Sequence, residues 1–279
     1  MLLPKQGHCW QKFDYFLLKM KDNTTHMHYV GKEISPEQFI AEHTFVYIIK
    51  GIMNLYDGNE HTELKAGECC IARKNRLGRF NKVKVNGELQ KVFVFLDEPF
   101  LRRFQEKYKT KETKFKSTKT LVPITQNNLL PNYIQSLLPY YNHAIIKEPF
   151  TDVKREELLL ILLQQQPGLA GLFFDFGIPQ KINIEEFMNK NFKFNVSIER
   201  FAFLTGRSLS AFKRDFNTTF NDTPNHWLVK KRLQEAHFLI KKKKQRASDI
   251  YLELGFETLS HFSYAFKKKF GLTPTELGK

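Results

Sequence analysis

The chain has 279 residues, 42% of them hydrophobic, enough to bury a real core in one large domain or two ordinary ones. Lys and Arg number 44 against 29 acids, and a formal net charge of +15 favours a polyanionic partner such as nucleic acid or an anionic surface. Cys9, Cys69 and Cys70 make a poor disulfide framework, the opening MLLPKQGHCW lacks an apolar signal core, and the longest aliphatic run, Leu158–Leu163, is far short of the roughly 20 residues of a membrane span. A disulfide-stapled secreted module and a helical membrane protein are thereby disfavoured, and a cytoplasmic chain with no membrane partner is expected.

Residues 12 to about 96 read as β-structure, because short runs rich in Phe, Tyr, Val and Ile lie between turn signals. Phe45–Ile49 is apolar enough for a buried strand, Gly51 interrupts it, and Ile52–Tyr56 follows as a second. Asp57-Gly58 is a strong hairpin signal, and Ala66-Gly67 marks another turn before Cys69–Ala72. Val92–Leu96 closes the series. Many short strands at close spacing predict a sandwich or a small barrel.

The texture changes near residue 98. Residues 100–119 carry eight Lys or Arg and two Glu, the pattern of a solvated helix and loop. Residues 129–165 read as helical, and Leu158–Leu163 gives the second helix a surface too apolar to face water. Such a helix is buried either in its own domain or against a partner, and of the two, self-association through Leu158, Leu159 and Leu162, making a homodimer through 129–165, is preferred over plain core packing. QQQPGLAG at 164–171 and Gly177–Pro179 break the pattern and place a linker at 167–180, between domains at 1–166 and 181–279.

The last hundred residues repeat with an offset of 50. Leu204 matches Leu254, Leu209 matches Leu259 and Ser210 matches Ser260. Phe212, Phe216 and Phe220 match Phe262, Phe266 and Phe270, and Thr223-Pro224 matches Thr273-Pro274. Such a period marks a duplicated supersecondary unit. In the first copy Ser197 caps a short helix, Ile198–Leu204, and Gly206 permits a turn. Ser208 then caps a second helix running to about Phe220. Leu209, Phe212 and Phe216 form its apolar face, while Ser210, Lys213, Arg214 and Asn217 form a polar and cationic one. A helix that reads a major groove needs both faces, one to fix it and one to reach bases and phosphates.

The second copy has a short helix at Ser248–Leu254, a turn at Gly255, Leu259, Phe262 and Phe266 facing the core, and Ser260, Ser263, Tyr264 and Lys267 facing outward. Lys268 and Lys269 extend the charge toward the helix C-terminus, where the helix dipole also favours them. Between the copies, Asn225 to about Lys243 reads as one long helix with a seam at Val229, Leu233, Ala236 and Ile240. Lys241–Lys244 and Arg246 are candidates for phosphate contact. Residues 181–279 hold 19 Lys and Arg against 10 acids, a net +9, so the charge density is highest where the helix pairs lie.

These residues resemble a known family. GFETLSHFSYAFKKKFGLTP, Gly255–Pro274, resembles the signature of the AraC/XylS transcription regulators, and LTGRSLSAFKRDFNTTFNDTP, Leu204–Pro224, is similar to that family's first helix-turn-helix. The first copy departs in lacking a Gly before Asn221 or Asp222. The resemblance covers about 181–279. It implies that Ser208, Ser210, Lys213, Arg214 and Asn217 meet one groove segment of promoter DNA. Thr258, Leu259, Ser260, Ser263, Tyr264, Lys267 and Lys268 would meet the next. HTFVYIIKGIMNLYDGNEHTELKAGE, His43–Glu68, resembles more loosely the cupin-like sensor domain of that family, in the arrangement of members related to ExsA. In that group the front domain supports self-association and receives a protein partner. The fold implied is α+β with two domains, a cupin-like β-barrel with a helical hairpin followed by an all-α double helix-turn-helix. The function implied is transcription regulation, activation above all, under a small-molecule or protein effector, with RNA polymerase as a further candidate partner.

A metal-dependent cupin enzyme is the main rival. His26, His28, His43 and His61 lie in the β region, but Thr44 stands where a ligand Glu would be expected. Arg73, Arg76 and Arg79 occupy the stretch after the Ala66-Gly67 turn, where a further His would be expected. Those arginines could instead hold an anionic effector. No phosphate loop, dinucleotide fingerprint, zinc spacing or nucleophile elbow is present, so no cofactor, metal or catalysis is expected. An RNA-binding chain would rely on aromatic sheets or loop clamps rather than paired amphipathic helices.

Overall fold

The structure is a computed structural model that describes residues 38–83, 89–110, 115–125, 128–141 and 150–278. It divides into two units, the first comprising Ile40–Arg76 and Phe80–Gly177 among the described residues. The second comprises Ile178 onward, with Gln38, Phe39 and Leu77–Arg79. The strands expected before residue 38, Cys9, and the pair His26 and His28 lie outside the described residues.

The first unit is built on β2 (His43–Lys50), whose run of apolar residues buries both faces. It pairs antiparallel with β8 (Gln90–Leu96) and with β5 (Cys69–Ala72), and β5 continues to β9 (Leu121–Pro123), giving the order β8-β2-β5-β9. A second sheet joins β4 (His61–Lys65), β3 (Ile52–Tyr56) and β7 (Arg79–Val83). The β3–β4 hairpin has Met53 opposite Leu64. It turns at Asp57-Gly58, where Gly58 takes φ +97° and the Asp57 carboxylate accepts from the amides of Asn59 and Glu60. A two-stranded sheet joins β1 (Phe39–Ile40) and β6 (Arg76–Leu77).

Strand alternation sends adjacent residues into different cores. Val46, Ile48, Cys70 and Ala72 pack with Met53, Leu55 and Leu64. Phe45, Cys69, Ile71, Val92, Val94 and Leu96 pack instead under α1 (Glu98–Tyr108), α2 (Leu129–Tyr141) and α3 (Phe150–Gln165). The expectation of a barrel is corrected: among the described residues the sheets remain separate, and no ladder joins β8 to β9. One face of the four-stranded sheet is covered by helices, so closing the sheet on itself is not needed to bury it.

Two further corrections follow from burial. Leu158, Leu159 and Leu162 are each 0% exposed and lie inside the core under the four-stranded sheet, so they hold the unit together and are not a surface for a second chain. The run reads as a partner face because it is apolar all round, but the sheet already satisfies it. The linker expected at 167–180 is also shorter. Pro167–Leu169 forms a 3-10 turn and Ala170–Phe173 forms α4, burying Leu169, Ala170, Leu172, Phe173 and Phe174 in the same core. Pro and Gly mark a turn here rather than a domain boundary, and the division falls after Gly177.

The second unit is all helix from residue 184: α5 (Ile184–Asn191), α6 (Ile198–Leu204), α7 (Leu209–Phe220), α8 (Pro224–Lys243), α9 (Ala247–Ile250), α10 (Leu259–Phe270) and α11 (Pro274–Gly278). The seam expected on α8 is present, with Leu233, Ala236 and Ile240 buried and Val229 partly so. No helix among the described residues is long and apolar enough to cross a membrane.

Candidate nucleic-acid interface

Each half of the repeat folds as a short helix, a turn and a longer helix. In the first, the Ser197 side chain caps α6 by accepting from the Arg200 amide. Thr205, fully buried, turns its hydroxyl back to the carbonyls of Phe201 and Ala202. Gly206 then takes φ +66°, and Ser208 Oγ caps α7 by accepting from the Ala211 amide at 3.3 Å. In the second, Gly255 takes φ +80° and Thr258 Oγ1 caps α10 by accepting from the His261 amide at 3.1 Å. The short helix is α9, ending at Ile250 rather than Leu254, with turns completing the path to Gly255.

The buried faces are phenylalanine stacks. Phe212, Phe216 and Phe220 run along α7 with ring centroids 5.6 and 4.4 Å apart. Phe262, Phe266 and Phe270 run along α10 at 5.8 and 4.7 Å. The linking helix α8 meets both. Trp227, near its start, packs on Phe216 and Phe220, while His237, ten positions on, packs on Phe266 and Phe270. Asn221 answers the missing glycine of the first copy. It ends α7 at φ +49°, where Gly271 ends α10 at φ +77°, and Asn is among the residues that tolerate this left-handed cap.

The opposite faces are polar and open. Ser208, Ser210, Lys213, Arg214 and Asn217 are all exposed, and the two serine hydroxyls lie 3.3 Å apart. On α10, Thr258, Ser260, Lys267 and Lys268 are exposed, Ser263 is half-buried, and Tyr264 is 69% exposed. Leu259 is 39% exposed, so it is not the core residue its period suggests and stands with the outward set. Lys269 is different: its ammonium donates to the carbonyl of Lys230 at 2.8 Å, and burial pulls its pKa down. It fastens α10 to α8. Lys241–Lys244 and Arg246 are exposed beyond the α8 seam.

Two features of this unit escape the sequence patterns. Arg207 Nε donates to the Asp215 carboxylate at 3.0 Å, and its Nη1 reaches the carbonyls of Ile182 and Thr205. The clamp ties the turn to α7, and the Arg207 hydrogen bond holds the Asp215 carboxyl below its usual pKa. At the corresponding positions the second copy has Glu257 and Ala265, so it has no such clamp. The other feature is Arg232, buried on the seam face of α8 with its guanidinium on three backbone carbonyls. Its spacing of three from Val229 was the available signal, since that register puts it on the buried side.

In the first unit the arginines proposed for an anion are mostly committed. Arg73 donates to the carbonyls of Ser117 and Lys119, and burial lowers its pKa to about 10. Arg76 reaches the Asn75 carbonyl at 3.5 Å. Arg79, which groups with the second unit, donates to the Glu253 carbonyl within it. His43 is buried, and desolvation lowers its pKa to about 3. Among the described residues no cluster of three or more His, Cys, Asp or Glu is placed to hold a metal. Cys69 and Cys70 are free, buried thiols, and burial pushes Cys69 up to about 12 and Cys70 further.

A family model for the ExsA N-terminal regulatory domain matches residues 43–171, and a helix-turn-helix domain model matches 201–279. Each model covers less than half of the chain, the first its front part and the second its last 79 residues. The virulence regulon transcriptional activator VirF of Yersinia enterocolitica is 27% identical over 179 residues, which is 63% of this chain and 66% of that protein. The thermoregulatory protein LcrF of Yersinia pestis is 28% identical over 57% of this chain and 59% of its own length. The regulator ExsA of Pseudomonas aeruginosa is 27% identical over 44% and 45%. The matches thus span less than two thirds of these relatives. VirF is named a transcriptional activator, ExsA a transcriptional regulator and LcrF a thermoregulatory protein. Among solved structures, Vibrio cholerae ToxT K231A aligns over 86% of this chain and 89% of its own at 15% identity, with a TM-score of 0.42.

Proposed function

We propose that the chain is a sequence-specific DNA-binding transcription activator, with no catalytic activity, whose helices α7 and α10 read successive major-groove segments of a promoter. The observation that carries this reading is the duplication itself: two capped helices, each with a phenylalanine stack on one side and an open face of hydroxyls and cations on the other, with the Asn217 amide added on α7. Ser210, Lys213, Arg214 and Asn217 are assigned to one segment, and Leu259, Ser260, Ser263 and Tyr264 to the next. Ser208 and Thr258, at the two helix N-caps, and Lys267 and Lys268, in the last turn of α10, are assigned to phosphate contact. The names of the relatives VirF and ExsA support regulation, and activation in the case of VirF.

The first unit is assigned to effector or protein-partner binding and to self-association in the cytoplasm. The dimer surface is moved from the buried leucines to the exposed side of α3, where Phe150, Val153 and Leu160 recur at helical spacing. RNA polymerase is the further partner that an activator requires. The test is selection of bound duplexes from a random pool with the full chain. A motif in two parts, separated by about one helical turn of some 10 base pairs, is expected. A single short motif would mean that only one helix reads bases, and no enrichment would end the proposal.

A further inference from the structure

We infer that Arg232 is a positioning residue that fixes the spacing of the two DNA-reading helices, an inference that rests on the two-unit reading above. Its guanidinium bridges the segment just before the first copy and the turn of the second copy, inside the second unit. Nε donates to the Phe192 carbonyl at 2.7 Å and Nη2 to Phe194 at 2.8 Å, in the segment that leads into α6. Nη1 donates to the Gly255 carbonyl at 2.9 Å, in the turn that leads into α10. One planar group, carried on the linking helix, therefore grips at once the segment before α6, the short helix on which α7 packs, and the turn that leads into α10. Arginine suits this role because its donors form a rigid fork, so three acceptors in fixed directions specify one placement.

The surroundings are built for that grip. Arg232 is 8% exposed. A Cβ at Gly255 would come within 2.8 Å of Arg232 Cζ and within 2.8 Å of the Lys193 carbonyl oxygen, so glycine is what lets the second copy's turn close on the guanidinium. Two polar contacts flank it. Lys193 Nζ pairs with Glu235 at 2.7 Å, fastening the leading segment to α8. Asn195 Nδ2 reaches Glu257 at 3.3 Å, fastening the same segment to the second turn. The phenylalanine stacks hold each reading helix to α8 separately, whereas Arg232 ties the segment before the first copy to the turn of the second.

The discriminating measurement uses the full-length chain and the duplex it selects, with the two half-sites moved apart or together by one, two and three base pairs. Binding is measured for wild type, Arg232→Lys and Arg232→Met, below the unfolding midpoint of each. Lysine keeps the charge but loses the fork, and methionine loses both. The wild type is expected to lose affinity steeply as the spacing changes. Both variants are expected to bind the optimal spacing more weakly and to show a flatter profile, while binding to each isolated half-site stays within about twofold of wild type. A variant that weakens every spacing in equal proportion, or leaves the profile unchanged, overturns the inference and makes Arg232 a stabilising residue only. Failure of both variants to fold has the same meaning. A wild type indifferent to spacing would instead sink the two-unit reading beneath it.

Discussion

Gly206 and Gly271 occupy the same left-handed backbone region, at φ +66° and +77°, but in very different space. An alanine Cβ at Gly271 would meet nothing within 4 Å, so Gly271→Ala costs only the left-handed strain, about 1–2 kcal/mol. A Cβ at Gly206 would lie 2.4–2.6 Å from backbone atoms of Gln180 and Lys181. Those atoms must retreat by about an ångström to restore ordinary contact, and they cannot do so freely. Ile182 N donates to the Thr205 carbonyl, and Arg207 donates to the Ile182 carbonyl. Losing both bonds adds about 1 kcal/mol each, giving about 3–4 kcal/mol for Gly206→Ala. The measurement is urea denaturation followed by helical circular dichroism and by Trp227 fluorescence, in a Trp10→Phe background that leaves Trp227 as the sole tryptophan. The midpoint shift for Gly206→Ala should be at least twice that for Gly271→Ala. Equal shifts would show that the close approach of Gln180–Ile182 to the first turn does not exist in solution.

Other outcomes are expected from the same geometry. Arg214→Ala should cost about 1–3 kcal/mol and relax preference at one base pair, whereas Lys268→Ala should weaken all duplexes alike and lower the salt slope by about one. Uniform loss for Arg214→Ala in a competition assay would reassign it to phosphate. Leu160→Asp should dissociate a dimer in sedimentation analysis and leave the fold intact, while Leu159→Asp should unfold the first unit. A monomeric wild type removes the dimer proposal. His43 has its pKa lowered by burial, so the unfolded chain binds the proton more readily. Its contribution to stability is complete above about pH 6.5, is lost as pH falls from there toward about 3, and should vanish from the pH profile of His43→Gln if that variant folds. A profile unchanged by the substitution would mean that His43 is not buried in solution.

The repeat was legible because its signal is dense. Phenylalanines at fixed offsets, a capping hydroxyl and a glycine are local features, and local features survive in a linear reading. The hairpin at Asp57-Gly58 and the α8 seam were readable for the same reason. What failed was non-local. Leu158, Leu159 and Leu162 carry no mark in the sequence to say whether a sheet of the same chain or a second chain will cover them. The stretch QQQPGLAG looks like a boundary until Leu172, Phe173 and Phe174 are seen in the core. Leu259 has a core residue's spacing but sits at the first position of its helix, where the neighbouring turn does not cover it. The partners of Arg207 and Arg232 were not legible because each acts largely on backbone carbonyls, which every residue carries, even though the register of Arg232 with Val229 marks it as buried.

The clamp between Arg207 and Asp215 also bears on how the two copies can change over generations. Loss of Asp215 leaves the buried Arg207 guanidinium with backbone carbonyls but no carboxylate, and loss of Arg207 leaves Asp215 only longer ion pairs to Lys181 and Arg214 at 3.6 and 3.7 Å, so substitutions at 207 and 215 should persist mainly as pairs. The second copy, with Glu257 and Ala265 there, carries no such obligation and can vary at each position singly. Two modules of common origin would then drift at unequal rates, the first conservative in its internal wiring, the second freer to acquire a new sequence preference.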